Sequence, residues 1–178
     1  MRGMGVLFDY FAAPNDADAA ATIDRLGGPA AAGAAITESG RRGLFRRRSK
    51  VAETVPEGPA YPTVGDTGID PVVQAGTLEE LLTGRPYEDI EQDPRWGRSL
   101  AVRDGGEGMV HTLTDGLVDA LAQAEADRLA EVAVPWSQTE EFWGAGDPEE
   151  LTALLQDLAQ LAREARARNE SVYCWVSV

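Results

Sequence analysis

Cysteine and histidine are almost missing from this chain: Cys174 and His111 are the sole examples in 178 residues. An intrachain disulfide is therefore excluded, and so is an intrachain Cys/His zinc site, which needs four such ligands. No apolar run approaches the length of about 20 residues that spans a bilayer. The opening Met1–Asp9 reaches an acid after a short mixed stretch, without the apolar core or cleavage site of a signal peptide. These absences suit a reducing compartment and predict a cytoplasmic protein with no membrane partner. Catalytic signatures are lacking too. There is no Gly-x-Ser-x-Gly, no phosphate loop and no Gly-x-Gly-x-x-Gly after a strand, so no catalytic set, metal or cofactor is expected. His111, in the apolar run Met109–Leu113, has no partnered nucleophile and reads as structural. Cys174 reads as a small buried hydrophobe.

Positive charge is the remaining shortage. Sixteen Lys and Arg face 30 Asp and Glu, for a net charge of -14. A field of that sign repels nucleic acid and favours a basic protein partner. Six of the positive charges crowd into Arg41, Arg42, Arg46, Arg47, Arg48 and Lys50, which leaves about -20 on the rest. Nucleic-acid contact would rest on those six alone and is disfavoured.

What remains is ordinary globular material, 43% hydrophobic and 26% charged, of a length suited to one domain. Met4–Phe11 reads as an opening strand, and Asn15 and Asp16 cap a helix over 17–26 that Gly27-Gly28-Pro29 stops. Residues 27–66, rich in Gly, Pro and the basic cluster, read as a flexible insertion. Thr77-Leu78-Glu79-Glu80 has the form of a capping box opening a short helix that Gly84 and Pro86 close. Two strands, 98–103 and 108–113, flank Asp104-Gly105-Gly106-Glu107 as a hairpin. Thr114 and Asp115 cap the next helix, and another over 127–133 is expected to end at Pro135.

The strongest element comes late. Asp147-Pro148-Glu149-Glu150 is a helix start, followed by the apolar stripe Leu151, Leu154, Leu155, Leu158, Leu161, Ala162 and Ala165. Ser171–Val178 then alternates as a strand, with Val172, Cys174 and Val176 on one face and Tyr173, Trp175 and Ser177 on the other. The expectation is a single α+β domain over 1–178. It comprises a small, mainly antiparallel sheet packed with helices, and a long C-terminal helix leading into a terminal strand.

Three fragments carry a resemblance: Met4-Gly5-Val6-Leu7 with Tyr10 and Phe11, then Leu81-Leu82-Thr83-Gly84, then the acidic and aromatic approach to the last helix and strand. Together they resemble the YfbM-like family of bacterial proteins. That resemblance implies a compact cytoplasmic α+β domain and carries over no activity. Members often place a tryptophan and a histidine just before Leu-Leu-Thr-Gly, where this chain has Gly76–Glu80.

The segment Val134–Gly144 draws the functional reading. Trp136, Gln138, Glu140, Glu141 and Trp143 combine aromatic anchors with carboxylates, a composition suited to recognising a basic group. The same aromatics also fit a structural reading, in which they cover the edge of the core before the last helix begins, and that reading is favoured for the segment itself. The adjacent Glu140 and Glu141 diverge in regular structure and make a poor acid–base pair. The leading expectation is a non-catalytic protein that binds another protein through this acidic, aromatic-bearing surface. By analogy of composition, an immunity-like or regulatory role would suit it. The alternative is an enzyme or small-ligand binder with a pocket near Trp136, Glu140, Glu141 and Trp143.

Overall fold

The first and last strands are neighbours. In the computed structural model, which describes residues 5–25, 27–31 and 58–178, β1 (Leu7–Ala13) pairs antiparallel with β5 (Ser171–Ser177) from Leu7↔Ser177 to Ala13↔Ser171. On the other side of β5 lies β4 (Gly108–Thr112), which pairs with β3 (Ser99–Arg103) as the expected hairpin. The two-residue β2 (Thr63–Val64) flanks β1, giving the order β2-β1-β5-β4-β3 with every pairing antiparallel. The chain is a single α+β domain.

Alternation along β5 separates two cores, as its sequence predicts. Val172, Cys174 and Val176 face a large cluster built with the helices, while Tyr173 and Trp175 join Phe11, Ile23 and Val110 on the opposite face. The helix that covers the large cluster is α6 (Pro148–Ala167). Its start is fixed by the Asp147 side chain, which accepts from Glu149 N at 2.8 Å, and by Pro148, which needs no amide partner in the first turn. Leu151, Leu155, Leu158, Leu161, Ala162 and Ala165 are buried, and Leu154 is half-buried at the stripe's edge. At the far end Arg166 reaches Asp119 at 2.7 Å and Asp115 at 3.0 Å, tying α6 to α4 (Asp115–Gln123), which Thr114 caps.

The remaining helices depart from the sequence reading in instructive ways. α1 (Asp16–Ala20) is capped by Asn15 as expected but tightens into a 3-10 turn over Ala21–Asp24. α2 (Val73–Thr83) begins before Thr77, so no capping box forms there. The reciprocal arrangement exists at Asp70 instead. Its carboxylate accepts from Val72 N and Val73 N at 2.8 Å each, and Gln74 Oε1 reaches back to Asp70 N at 2.8 Å. α3 (Tyr87–Ile90) follows Gly84, whose left-handed φ of 73° closes α2. α5 (Ala126–Ser137) runs through Pro135 rather than stopping there, because a proline within the last turn removes only one helical bond.

The basic cluster at 41–50 lies outside the described residues, as does most of the insertion expected at 27–66. Its described margins are well bonded, and 58–66 belongs to the sheet through β2. The guanidinium of Arg25, 5% exposed, donates to Pro59 O at 2.7 Å and to Ala31 O at 3.4 Å, and packs over the Tyr61 ring at 4.9 Å. With Tyr61 N donating to Pro29 O, this closes a neck between residues 31 and 58. Among the described residues no helix is long and apolar enough to cross a membrane.

Candidate functional site

Of the five residues singled out in the sequence, Trp136 belongs elsewhere. It is fully buried on α5, its indole N–H donates to Gln74 O at 3.1 Å, and its ring meets Phe142 edge-on at 5.1 Å. At Trp136 the aromatic character belongs to the core, because Trp136 falls on the face of α5 turned toward α2. Gln138 and Glu140 are exposed and Glu141 is half-buried. Trp143 is 93% exposed.

The loop between α5 and α6 is built to hold Trp143 outward. A 3-10 turn over Glu140–Phe142 is capped by Trp143 N donating to Glu140 O at 2.9 Å. Phe142 anchors its inner side against Trp136. Gly146 abuts the Ser137 backbone so closely that a Cβ there would lie 2.7 Å from Ser137 O. Trp143 itself adopts φ 55°, ψ 25°, a left-handed conformation that is costly for a bulky side chain. A solvent-facing tryptophan in a strained backbone gains nothing from core packing.

Glu141 is held rather than free. Its Oε1 accepts from Thr77 Oγ1 on α2 at 2.9 Å. Burial would raise its pKa, but hydrogen bonds from Thr139, its own backbone and Thr77 outweigh burial and hold it below the usual range. This bond brings the loop onto the face of α2 that also carries Val73, one turn before Thr77 and 46% exposed, and the half-buried Glu80, one turn after. Glu80 Oε1 in turn accepts from Tyr87 N at 3.2 Å, which seats α3 beside them. Tyr87 rests edge-on against Trp96, at 6.1 Å and 85°. Its hydroxyl is pushed up in pKa by burial first, and then by the charges of Glu91, Glu141, Asp70 and Glu80. Four carboxylates thus act together on one tyrosine hydroxyl. None of the four makes an ion pair among the described residues.

Sequence reading missed Tyr87, Asp70, Glu80 and Glu91, because their convergence depends on where α3 and the loop dock. No signal in the sequence marks these four, since the acidic run without Lys, Arg or His over residues 129–162 contains none of them. Glu79 was also passed over. Its carboxylate, 1% exposed, accepts from Thr114 Oγ1 and from Arg85 Nη1 at 3.4 Å, linking α2 to the cap of α4. Burial raises its pKa, with Thr114 and Arg85 acting against it. The cavity beside Glu79 and Trp96 has room for about one water. Open grooves of about 390 Å³, between α2 and α4, and about 470 Å³, between β2 and α6, lie away from Trp143. His111 Nδ1 lies 3.1 Å from Gly97 O, and Cys174 is buried in the sheet with its thiol pKa pushed up by burial. Among the described residues no group of three potential ligands is placed to hold a metal.

No family model, no curated protein and no solved structure matches this chain.

Proposed function

We propose that this is a non-catalytic protein that binds another protein through the surface carrying Trp143. The observation behind the reading is the exposure of Trp143, 93%, in a left-handed backbone that the loop's own contacts enforce. Exposed aromatics on a rigid support contribute most of the energy at many interfaces, because little conformational freedom is lost when they are buried. An immunity-like or regulatory role would suit such a surface. The enzyme or small-ligand alternative places a pocket near Trp136, Glu140, Glu141 and Trp143; the burial of Trp136 in the core leaves that side chain less available to it.

The test is affinity capture with the wild-type chain, a Trp143→Ala variant and a Val102→Ala variant that truncates a distant exposed residue. A partner kept by the wild type and Val102→Ala, and weakened by about 30-fold or more in Trp143→Ala, supports the reading, since a hot-spot truncation costs at least ~2 kcal/mol. Partners indifferent to Trp143 refute it.

A further inference from the structure

The surface around Trp143 has two parts that ask for different things. Trp143 and Val73 offer apolar area to bury, Trp143 two residues after Glu141 and Val73 one turn before Thr77, the pair whose hydrogen bond joins the loop to α2. The same elements carry the carboxylates of Asp70, Glu80 and Glu141, and Glu91 follows α3, without a basic side chain paired to any of them among the described residues. Resting on the protein-binding reading above, we infer that the partner presents a basic segment, with Trp143 covering its apolar stem and the carboxylates around Tyr87 receiving its Arg or Lys head group.

Charge complementarity selects this occupant. An acidic or neutral apolar partner would bury these carboxylates without compensation, and a buried unpaired charge costs more than an exposed one. A second copy of this chain would bring the same signs together. Three of the carboxylates are already oriented by local bonds: Asp70 by the amides opening α2, Glu80 by Tyr87 N, Glu141 by Thr77. Each has a second oxygen to offer a cation. Long basic side chains have apolar stems that lie along aromatic rings while the charged tip seeks a carboxylate.

The experiment titrates hexa-arginine, hexalysine and hexaglutamate peptides into the full chain while following the indole N–H resonances by NMR, with Trp143→Phe assigning one of them. Either basic peptide should shift the Trp143 signal, hexaglutamate should not, and the effect should weaken between about 50 and 300 mM salt. Two double variants remove equal charge. Glu80→Gln with Glu141→Gln keeps both local hydrogen bonds and should lower affinity about 3- to 10-fold. Asp157→Asn with Glu164→Gln, in the groove beside β2, should lower it less than about 2-fold. Equal losses in the two variants would show that bulk acidity alone attracts the peptides, and the inference falls. A silent Trp143 resonance overturns it as well. If capture still depends on Trp143 in that case, protein binding stands and only the basic partner is wrong.

Discussion

Replacing Trp136 by phenylalanine separates core from surface. The substitution deletes an indole N–H that donates to Gln74 O at 3.1 Å, a net loss of about 1 kcal/mol. It also leaves a void of roughly 40 Å³ in a site with no exposure, worth about 1 kcal/mol at ~24 cal/mol per Å³. Lost apolar contact adds about 0.5–1 kcal/mol. The sum is about 2–3 kcal/mol, or a fall in Tm of roughly 5–10 °C for a chain of this size. Trp143→Ala removes a side chain of the same type that touches almost nothing, and should stay within about 0.5 kcal/mol of wild type. Urea unfolding followed by far-ultraviolet circular dichroism, read as a midpoint at constant slope, measures both. A Trp136→Phe loss below about 0.5 kcal/mol, or a Trp143→Ala loss above about 1.5 kcal/mol, would refute this division of roles. Partner binding should follow the opposite order, surviving the first substitution and failing with the second.

Leu158→Ala, in the buried stripe of α6, should cost about 2–5 kcal/mol, checked by the same unfolding curves. Gly76→Ala gains about 1 kcal/mol of helix propensity. Against that, its methyl would sit 2.8 Å from Tyr87 Cε2 and 3.1 Å from Trp96 Nε1. Overpacking of about 1–3 kcal/mol should therefore leave the variant less stable. Asp16 and Glu79 should respond to acid in opposite directions. Burial would raise the pKa of Asp16, but the Tyr173 and Arg95 hydrogen bonds outweigh it and leave the pKa lowered, so its stabilisation is present above the unfolded value and lost as pH falls through the folded one. Glu79 is raised by burial, so wild-type stability should rise relative to Glu79→Gln as pH falls through its folded pKa toward about 4.5, and Asp16→Asn should show the reverse trend across its own lower window. Unfolding midpoints of the three proteins across pH 3–7 decide it.

The elements that could be read from the sequence are those whose signals are local. Asp147-Pro148 and the leucine stripe fix α6, alternation fixes β5 and its two faces, and Gly105-Gly106 fixes the turn of the hairpin. Where reading failed, a local signal had two interpretations and tertiary contacts chose. Thr77 and Glu80 form a correct capping pattern, yet Asp70 and Gln74 cap α2 earlier, which frees Thr77 to bind Glu141. Pro135 looked like a stop because its position in the last turn depends on where Trp136 docks. The site divided the same way. Trp143 and Glu141 could be named from composition, whereas Tyr87, Asp70, Glu80 and Glu91 enter the candidate site through the docking of α2 and α3, and no spacing in the sequence encodes that.

The pairing of β1 with β5 has a consequence for how the molecule comes into being. β5 is the centre of the sheet, with β1 on one side and β4 on the other, and it is the last of the described elements to be synthesised. Until it arrives, β1 and the β3–β4 hairpin have no common strand, and the inner edges of both stand open. Closure of the sheet therefore waits for β5 itself, and contacts of such long sequence separation form slowly. Chains truncated before Ser171 should stay protease-sensitive through β1, and chains that include β5 should gain protection in β1 and β4 together.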